Sequence, residues 1–306
     1  MSDPLVSVII PALDAAAFLP AALDSVFAQT TGALEVVVVD DGSADDSVAV
    51  AKAYGRGVRV IEQARSGSAS ARNRGIEATS GELIAFLDAD DLWLPDKTRL
   101  QLDLFERRPD LGMVFSDGIA FDESGDRAGT YFDEKEFGGL CRASSIFLHD
   151  MIMTPTVILR RACLRTTGLF DEGLKIGQDT DLFFRLALRH PFDVVNRPLI
   201  KRRLHGGNIT RNHRLVARCA TEIWGRHLPA CAEAEPEMRK QMEAWYTRIR
   251  WNHHFQEGCA LLHEGRAGEA RRHLGQAVRL DPFQPRPWVF YATSWLPRRG
   301  LVRNAG

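Results

Sequence analysis

The sequence predicts an α/β fold with a mostly parallel central sheet, followed by an all-helical C-terminal region. In the first third of the chain, short apolar runs alternate with segments of helical periodicity. The apolar runs are continuous, which is typical of parallel strands covered by helices on both faces. From about residue 212 onward the composition is almost entirely helical. We therefore predict one domain over residues 1–212 and a helical region over residues 213–306.

The first two strands and helices follow from local patterns. LVSVIIP is a β-branched run closed by a proline, as expected of a buried strand. LEVVVVDDGS is a second such run, and in the turn that ends it Ser43 or Asp45 can cap the next helix. Between the two runs, apolar residues recur at helical spacing, namely Phe18, Leu19, Ala22, Leu23, Val26 and Phe27.

The remaining elements of this domain are predicted in the same way. VRVIEQ is a third strand, SASARNRGIEATSG is a helix that stops at Gly81, and ELIAFLD is a fourth strand. Between Met113 and Asn196 the pattern loosens and predicts short strands and loops. A helix that begins near Gln178 then carries apolar residues on one face: Leu182, Phe183, Leu186 and Ala187.

The C-terminal region contains one segment that resembles a tetratricopeptide unit. GCALLHEGRAGEARRHLGQAVRLDPFQPRPW has small residues where helices would cross, glycine at the turn and Asp-Pro at the exit. A single unit cannot bury its own apolar face. We therefore expect these helices to dock on another surface, which could be that of a protein partner.

Composition and charge limit the classes of function. The net charge of −1 gives no overall field that would attract nucleic acid. Five cysteines without a C-x-x-C pair favour neither a zinc site nor a disulfide framework, and indicate a reducing compartment. The apolar run over residues 5–10 is much shorter than the ~20 residues that span a bilayer. We expect a cytoplasmic protein, with peripheral contact at the inner membrane face through the basic PRRGLVRNAG tail as an alternative.

Two of the predicted strands end in acid-rich turns, Asp40-Asp41-Gly42-Ser43 and Asp88-Ala89-Asp90-Asp91. Ligands of open parallel sheets bind outside the carboxyl ends of the strands. Asp88 and Asp90 can converge on Mg²⁺ or Mn²⁺, whose open positions a diphosphate would complete. A solvated turn or a helix cap is the alternative for this pair. Asp41 can accept hydrogen bonds from a nucleobase or ribose, or it can cap the next helix.

Four motifs occur in the order and approximate spacing found in family 2 glycosyltransferases with the GT-A fold, and the sequence resembles that family over about residues 5–212. They are VSVIIPALD, VVVVDDGSADDS, SARNRGIEATSGELIAFLDADDLWLPDK and GLFDEGLKIGQDTDLFFRLAL. The resemblance implies a Rossmann-like nucleotide-diphospho-sugar transferase sandwich. It also implies transfer of a sugar from a nucleotide-diphosphate donor to an acceptor hydroxyl, with inversion of the anomeric centre.

The resemblance also implies roles for residues at the strand ends. Asp41 matches the residue that contacts the nucleobase, and Pro11 and Ala12 match backbone positions that line the nucleotide pocket. Asp88 and Asp90 match the D-x-D pair, with Asp90 as the principal ligand of Mn²⁺ or Mg²⁺ and Asp88 beside the donor.

Three further residues have two interpretations each. Arg72 either pairs with a donor phosphate or is an unliganded arginine on a helix surface. By the resemblance, His205 is a metal ligand or diphosphate contact, although a histidine in a glycine-rich loop is as often structural. Trp93 either stacks on a sugar ring or anchors the loop in the core. The other eight histidines are assigned no role.

Asp179 matches the general base of the family. Inversion requires a carboxylate that takes the acceptor proton on the face opposite the leaving group. Family members usually have Glu-Asp here, whereas this chain has Gln178-Asp179, which leaves the base and removes a charge beside it. Asp181 is the competing candidate, but residues two apart do not share a helix face. A helix-start acid stabilised by the helix dipole is the structural alternative for Asp179.

Together these features predict a metal-dependent, inverting glycosyltransferase that acts on a glycan, lipid-linked or other hydroxyl acceptor, in cell-surface glycan or polysaccharide synthesis. The alternative is a catalytically weak sugar-nucleotide-binding or scaffold protein that interacts through its helical tail. The sequence does not match a phosphatase of the haloacid dehalogenase type. That motif has Thr or Val two residues after its second acid and usually lies on the first strand, whereas here Asp90 is followed by Asp91 and Leu92 and lies after the fourth strand.

Overall fold

A computed structural model of the chain describes residues 5–30, 33–132, 137, 141–149, 152–207 and 211–295. The chain forms two compact units, residues 1–208 and 209–306. The basic PRRGLVRNAG segment, on which the membrane-contact hypothesis rests, lies outside the described residues. The assignment of separate roles to residues 1–212 and 213–306 stays a prediction.

The N-terminal unit contains all of the described strands and seven of the described helices. The strands are β1 (Leu5–Ala12), β2 (Ala33–Asp40), β3 (Arg59–Glu62), β4 (Leu83–Phe86), β5 (Leu92–Trp93), β6 (Met113–Asp122), β7 (Gly125–Asp126), β8 (Ile158–Arg160) and β9 (Phe192–Arg203). The helices are α1 (Leu19–Phe27), α2 (Ser47–Tyr54), α3 (Ser68–Ala78), α4 (Lys97–Arg107), α5 (Ala143–His149), α6 (Leu164–Thr167) and α7 (Gln178–Ala187).

The described strands form one sheet in the order β3-β2-β1-β4-β8-β6-β9-β5, with β7 paired to β6. The first four strands in this order are parallel, as their continuous apolar runs predict. Residues 36–39 of β2 are all buried, so both faces of that strand are covered. The second half is mixed, because β8 runs antiparallel to both β4 and β6. The predicted α/β class is confirmed.

Two strands are longer than the loosened pattern between Met113 and Asn196 predicts. β6 is ten residues long and β9 is twelve, and they pair in parallel. The pattern is hidden in β6 because polar Ser116 and Asp117 lie in its buried stretch. The pairing is irregular there, and the Asp117 carboxylate accepts hydrogen bonds from the amides of Gly118 (2.7 Å) and Phe132 (3.1 Å). Asp117, a buried acid whose carboxylate is hydrogen-bonded, therefore occupies a position in β6 where an apolar side chain is expected.

The parallel half of the sheet brings three strand ends to one edge. In the register of the sheet, Ala12 is opposite Asp40, and Ile9 is opposite Phe86. The segments that leave β1, β2 and β4 therefore start close together. This edge is where ligands of open α/β sheets bind.

The C-terminal unit is helical, as predicted, with α8 (His213–Ala234), α9 (Arg239–His263), α10 (Ala267–Leu280) and α11 (Pro285–Thr293). α9 and α10 approach each other closely at Gly258, where an added Cβ atom would lie 2.6 Å from Leu274 Cγ. The glycine therefore permits a close helix crossing. Among the described helices of the chain, none combines the length and the apolar character needed to cross a bilayer.

Candidate functional site

The loops after β1 and β2 are joined by hydrogen bonds. The amide of Asp41 donates to the carbonyl of Ala12 (2.8 Å), and the amide of Ala44 donates to Asp14 Oδ1 (2.7 Å). The N-cap of α2 is Asp46, so the prediction of Ser43 or Asp45 as the cap is wrong, although Asp45 Oδ1 accepts from the amide of Ser47 at 2.9 Å. Pro11 and Ala12 thus end β1 directly beside the start of the acidic turn after β2.

Asp41 is buried, and its carboxylate shapes the loop that leads into α3. Its Oδ1 accepts from Gln63 Nε2 (2.8 Å) and the amide of Ser66 (2.7 Å), and its Oδ2 accepts from the amide of Gly67 (2.8 Å). These contacts lie before α3, so the alternative in which Asp41 caps α2 is wrong. The sequence signal for this loop is SGS, residues 66–68, a run of small residues that leads into α3 and supplies the Ser66 and Gly67 amides.

Side chains of helix α3 contact both the loop after β4 and the start of α7. The Arg72 side chain is 6% exposed and its Nη2 lies 2.6 Å from Asp88 Oδ1. At the start of α3, Ser68 Oγ accepts a hydrogen bond from Gln178 Nε2 (2.7 Å). The prediction of Arg72 as a helix-surface residue is therefore wrong, and its contact with a donor phosphate stays a prediction. Its Nε is buried and has no hydrogen-bond partner among the described residues.

The three acids after β4 lie in different environments. Asp88 and Asp90 have side chains that are 35% and 27% exposed, so a ligand can reach them. Asp91 is buried, and its Oδ1 accepts from the amide of Arg203 at 2.8 Å. Burial, followed by the negative charges of Asp88 and Asp90, raises the pKa of Asp91 well above its ordinary value. Asp91 therefore has a structural role in the turn.

His205 lies beside Asp90, although it is 115 residues further along the chain. Its Nε2 is 2.8 Å from Asp90 Oδ2, because β9 passes next to the loop after β4. Two reachable carboxylates and an imidazole nitrogen are chemically suitable ligands for a hard divalent cation that also binds phosphate oxygens. Asp90 and His205 therefore lie together as two chemically suitable ligands, whereas Asp88 is paired with Arg72 and does not form a closely spaced three-ligand group with them.

Asp179 lies in the first turn of α7, after Gly177, whose positive φ of 78° lets the chain turn into the helix. Its Oδ2 accepts from Thr154 Oγ1 (2.7 Å) and its Oδ1 accepts from the amide of Thr180 (2.8 Å). Asp181 is 1% exposed and pairs with Arg185 at 2.8 Å. Of the two acids, Asp179 is the one available to a ligand.

Gln178, which replaces the usual glutamate, is buried beside α3. Its Nε2 donates to Ser68 Oγ, and its Oε1 is buried without a hydrogen-bond partner among the described residues. A glutamate here would place a carboxylate against the same hydroxyl. The glutamine, by contrast, links α7 to α3 through the hydrogen bond from its amide nitrogen to Ser68 Oγ.

Thr154 was missed by sequence reasoning, and it belongs to a short 3₁₀ turn, Thr154–Thr156. Trp93 holds this turn by donating from Nε1 to the carbonyl of Pro155 (3.1 Å), and it is 3% exposed. Trp93 is therefore a core anchor, and its interpretation as a sugar platform is wrong. Gln101 Nε2 donates to the carbonyl of Thr156 at 2.8 Å.

Lys97 is fully buried and contacts Gln101, which is bonded to the same turn. Its Nζ donates to Gln101 Oε1 (2.7 Å) and lies 4.4 Å from the centroid of the Trp93 ring. Burial lowers the pKa of the Lys97 amine well below its ordinary value. The sequence has no signal for this burial, because a lysine after Pro-Asp at a helix start is normally solvated.

Residues 7–162 match the model of the family "Glycosyl transferase family 2". An uncharacterized glycosyltransferase of Rickettsia typhi is 31% identical over 212 residues, which cover 68% of this chain and 66% of the relative. Chondroitin synthase of Escherichia coli is 30% identical over 208 residues, covering 67% of this chain and 30% of that protein. The chain thus spans less than two thirds of either relative.

The fold is similar to that of a solved mannosyltransferase, PcManGT from Pyrobaculum calidifontis, in complex with GDP-Man and Mn²⁺. The TM-score is 0.65 at 16% sequence identity, with 96% of this chain and 80% of that chain covered. At this identity the similarity shows the fold alone, and it agrees with the predicted sandwich and helical extension.

Proposed function

This chain belongs to glycosyl transferase family 2, and from that premise we propose that it is an inverting, metal-dependent glycosyltransferase that uses a nucleotide-diphosphate sugar. The GDP-Man of the similar mannosyltransferase supports the donor class. The chondroitin synthase relative supports an acceptor hydroxyl on a growing glycan or polysaccharide. The observation that carries the proposal is the set of contacts through α3 and the loop before it, which connects Asp41, Asp88 and Gln178 from three separate segments.

In the proposed reaction, Asp179 is the general base. The acceptor oxygen attacks the anomeric carbon while its proton passes to an Asp179 carboxylate oxygen, and the bond from that carbon to the donor phosphate oxygen breaks. The hydroxyl of Thr154 donates to Asp179 Oδ2 and so fixes the plane of the carboxylate. Attack from the side opposite the leaving diphosphate inverts the anomeric centre.

Asp90, Asp88 and His205 would hold the divalent cation. The imidazole adds a softer donor to the two carboxylates, which favours Mn²⁺ over Mg²⁺. A bound cation would neutralise the charge that develops on the departing diphosphate. This would stabilise the transition state by several kcal/mol.

The remaining residues would hold the nucleotide. Pro11 and Ala12 would line the base pocket with backbone atoms, and Asp41 Oδ2 would accept from the base in addition to the Gly67 amide, while Oδ1 keeps the loop before α3 in place. Arg72 is paired with Asp88, so its guanidinium would reach a donor phosphate only on the side away from that carboxylate. This pairing would hold the Asp88 carboxylate in one orientation beside the cation.

The test is a screen of UDP-, GDP-, dTDP- and CMP-sugars for thermal stabilisation and for donor hydrolysis, with and without Mn²⁺. We expect one nucleotide class to stabilise the protein in a Mn²⁺-dependent manner and to be turned over slowly. Stabilisation by a donor without any turnover would favour the alternative of a binding or scaffold protein. Absence of any stabilisation would refute the donor site itself.

The Asp179→Asn variant tests the base directly. It should bind donor and Mn²⁺ as the parent does, because neither is assigned to Asp179, and it should lose transfer by several orders of magnitude. Transfer at near-parental rate would show that another group takes the proton.

A further inference from the structure

Three histidines of the C-terminal unit form a cluster away from the strand-end acids in sequence. His253 and His254 are consecutive in α9, and His273 is in α10. One coordinating atom from each ring lies within 4.8 Å of the corresponding atoms of the other two. The closest pair is His254 Nδ1 and His273 Nδ1, at 3.2 Å. The centroids of the three rings are 5.1, 5.3 and 6.0 Å apart.

The cluster is incompletely satisfied by hydrogen bonds. His253 Nδ1 is buried and has no hydrogen-bond partner among the described residues. The contact between His254 and His273 requires one nitrogen to carry a proton and the other to accept it. Buried polar atoms in native proteins normally have a partner, so the free nitrogen of His253 indicates an additional group at this place.

We propose that His253, His254 and His273 bind a divalent transition metal ion, with Zn²⁺ as the expected ion. Imidazole nitrogens prefer zinc, nickel and copper, whereas magnesium, calcium and manganese prefer oxygen. Tetrahedral zinc with bonds of about 2.0 Å to nitrogen separates neighbouring ligand atoms by about 3.3 Å. The His254–His273 separation of 3.2 Å is close to this value, and a coordinating atom of His253 lies within 4.8 Å of both.

The surroundings can accommodate the ion. Glu257 follows His253 by one helical turn and provides a negative charge, although Arg214 Nε donates to it at 2.6 Å. His254 and His273 also line an open pocket of about 460 Å³, through which an ion can enter.

The site would connect two helices of one unit. Two ligands come from α9 and one from α10, so a bound ion would cross-link these helices near their close approach at Gly258. Three protein ligands leave one position of a tetrahedral ion for water. The role assigned here is therefore stabilisation of the α9–α10 pair, independent of the proposed transferase chemistry.

The experiment is a calorimetric titration of the full-length Asp90→Ala protein with ZnCl₂. This background removes the proposed catalytic metal site, so the result does not depend on the proposed function. We expect about one Zn²⁺ per chain and a Zn²⁺-dependent rise in melting temperature. A His254→Gln/His273→Gln variant in the same background should bind at least ~100-fold more weakly. His263→Gln, at an exposed position at the end of α9, is the matched control and should bind as the background does.

Circular dichroism of the metal-free proteins checks that each variant is folded. If the double variant is not, His253→Ala with Co²⁺ in place of Zn²⁺ gives a second measurement, because removal of a ring nitrogen must change the visible ligand-field spectrum. The proposal is wrong if the background protein binds neither Zn²⁺ nor Co²⁺, or if the histidine variants bind as the control does.

Discussion

Thr154→Val isolates the hydrogen bond that orients the proposed base. Thr154 is buried, and its hydroxyl donates to Asp179 Oδ2 at 2.7 Å. Valine has nearly the same shape, so the change removes the donor and leaves the packing of the turn in place. The variant therefore tests whether the orientation of Asp179 matters for transfer.

The size of the effect follows from the chemistry of the contact. A hydrogen bond to a charged group contributes about 1.5–3 kcal/mol, and each ~1.4 kcal/mol changes a rate tenfold. The full loss would thus lower kcat by about 10- to 100-fold. Asp179 keeps its bond from the Thr180 amide and is partly exposed, so water can replace part of the loss. We expect the lower end, about tenfold.

Initial-rate kinetics with saturating Mn²⁺ measure the effect. The KM for the donor should stay unchanged, because Thr154 is not assigned to the donor, and Thr154→Ser should restore most of kcat. Thr156→Val is the matched control: it removes a buried hydroxyl from the same turn, one that donates to the Met153 carbonyl at 2.7 Å. Equal losses of kcat in the Thr154→Val and Thr156→Val variants, or no loss in Thr154→Val, would refute the orienting role.

Three further predictions concern the metal, a buried charge and the helical unit. Asp90→Ala should abolish the Mn²⁺ dependence of nucleotide binding measured by calorimetry; unchanged dependence would remove Asp90 from the metal site. Burial lowers the pKa of Lys97 in the folded protein well below its ordinary value of 10.5, so the unfolded chain binds the proton more readily. The free energy of unfolding of the parent therefore rises with pH between the folded-state pKa and 10.5. The stability of Lys97→Met relative to the parent should therefore fall as pH rises, and a pH-independent difference in denaturant unfolding would contradict this. Gly258→Ala should destabilise the protein by about 1–3 kcal/mol, because the added Cβ would lie 2.6 Å from Leu274 Cγ; an unchanged melting temperature would show that the helices can move apart.

The placement of Asp41, Asp88 and Asp90 at one sheet edge was accessible from the sequence. Continuous apolar runs identify parallel strands, and the carboxyl ends of such strands meet at one edge. The position of Asp179 at a helix start was also predictable from the apolar face of that helix, whereas its role as a base is implied only by the family resemblance. These inferences succeed because the spacing of apolar residues and the chemistry of turns are properties of short segments. Their functional roles stay predictions until the variants are measured.

Other features depend on contacts between distant parts of the chain. Thr154 meets Asp179 across 25 residues and His205 meets Asp90 across 115. His254 and His273 meet only because α9 packs against α10. The same pairing of distant segments made Trp93 a core anchor.

The sequence by itself therefore determined the α/β class, the helical C-terminal region and the strand ends that carry the acids. The tertiary structure alone decided which side chains those acids meet, which of them stay exposed and which histidines form a cluster. The physical reason is that secondary structure follows local periodicity, whereas the direction and burial of a side chain depend on the segments that pack against it.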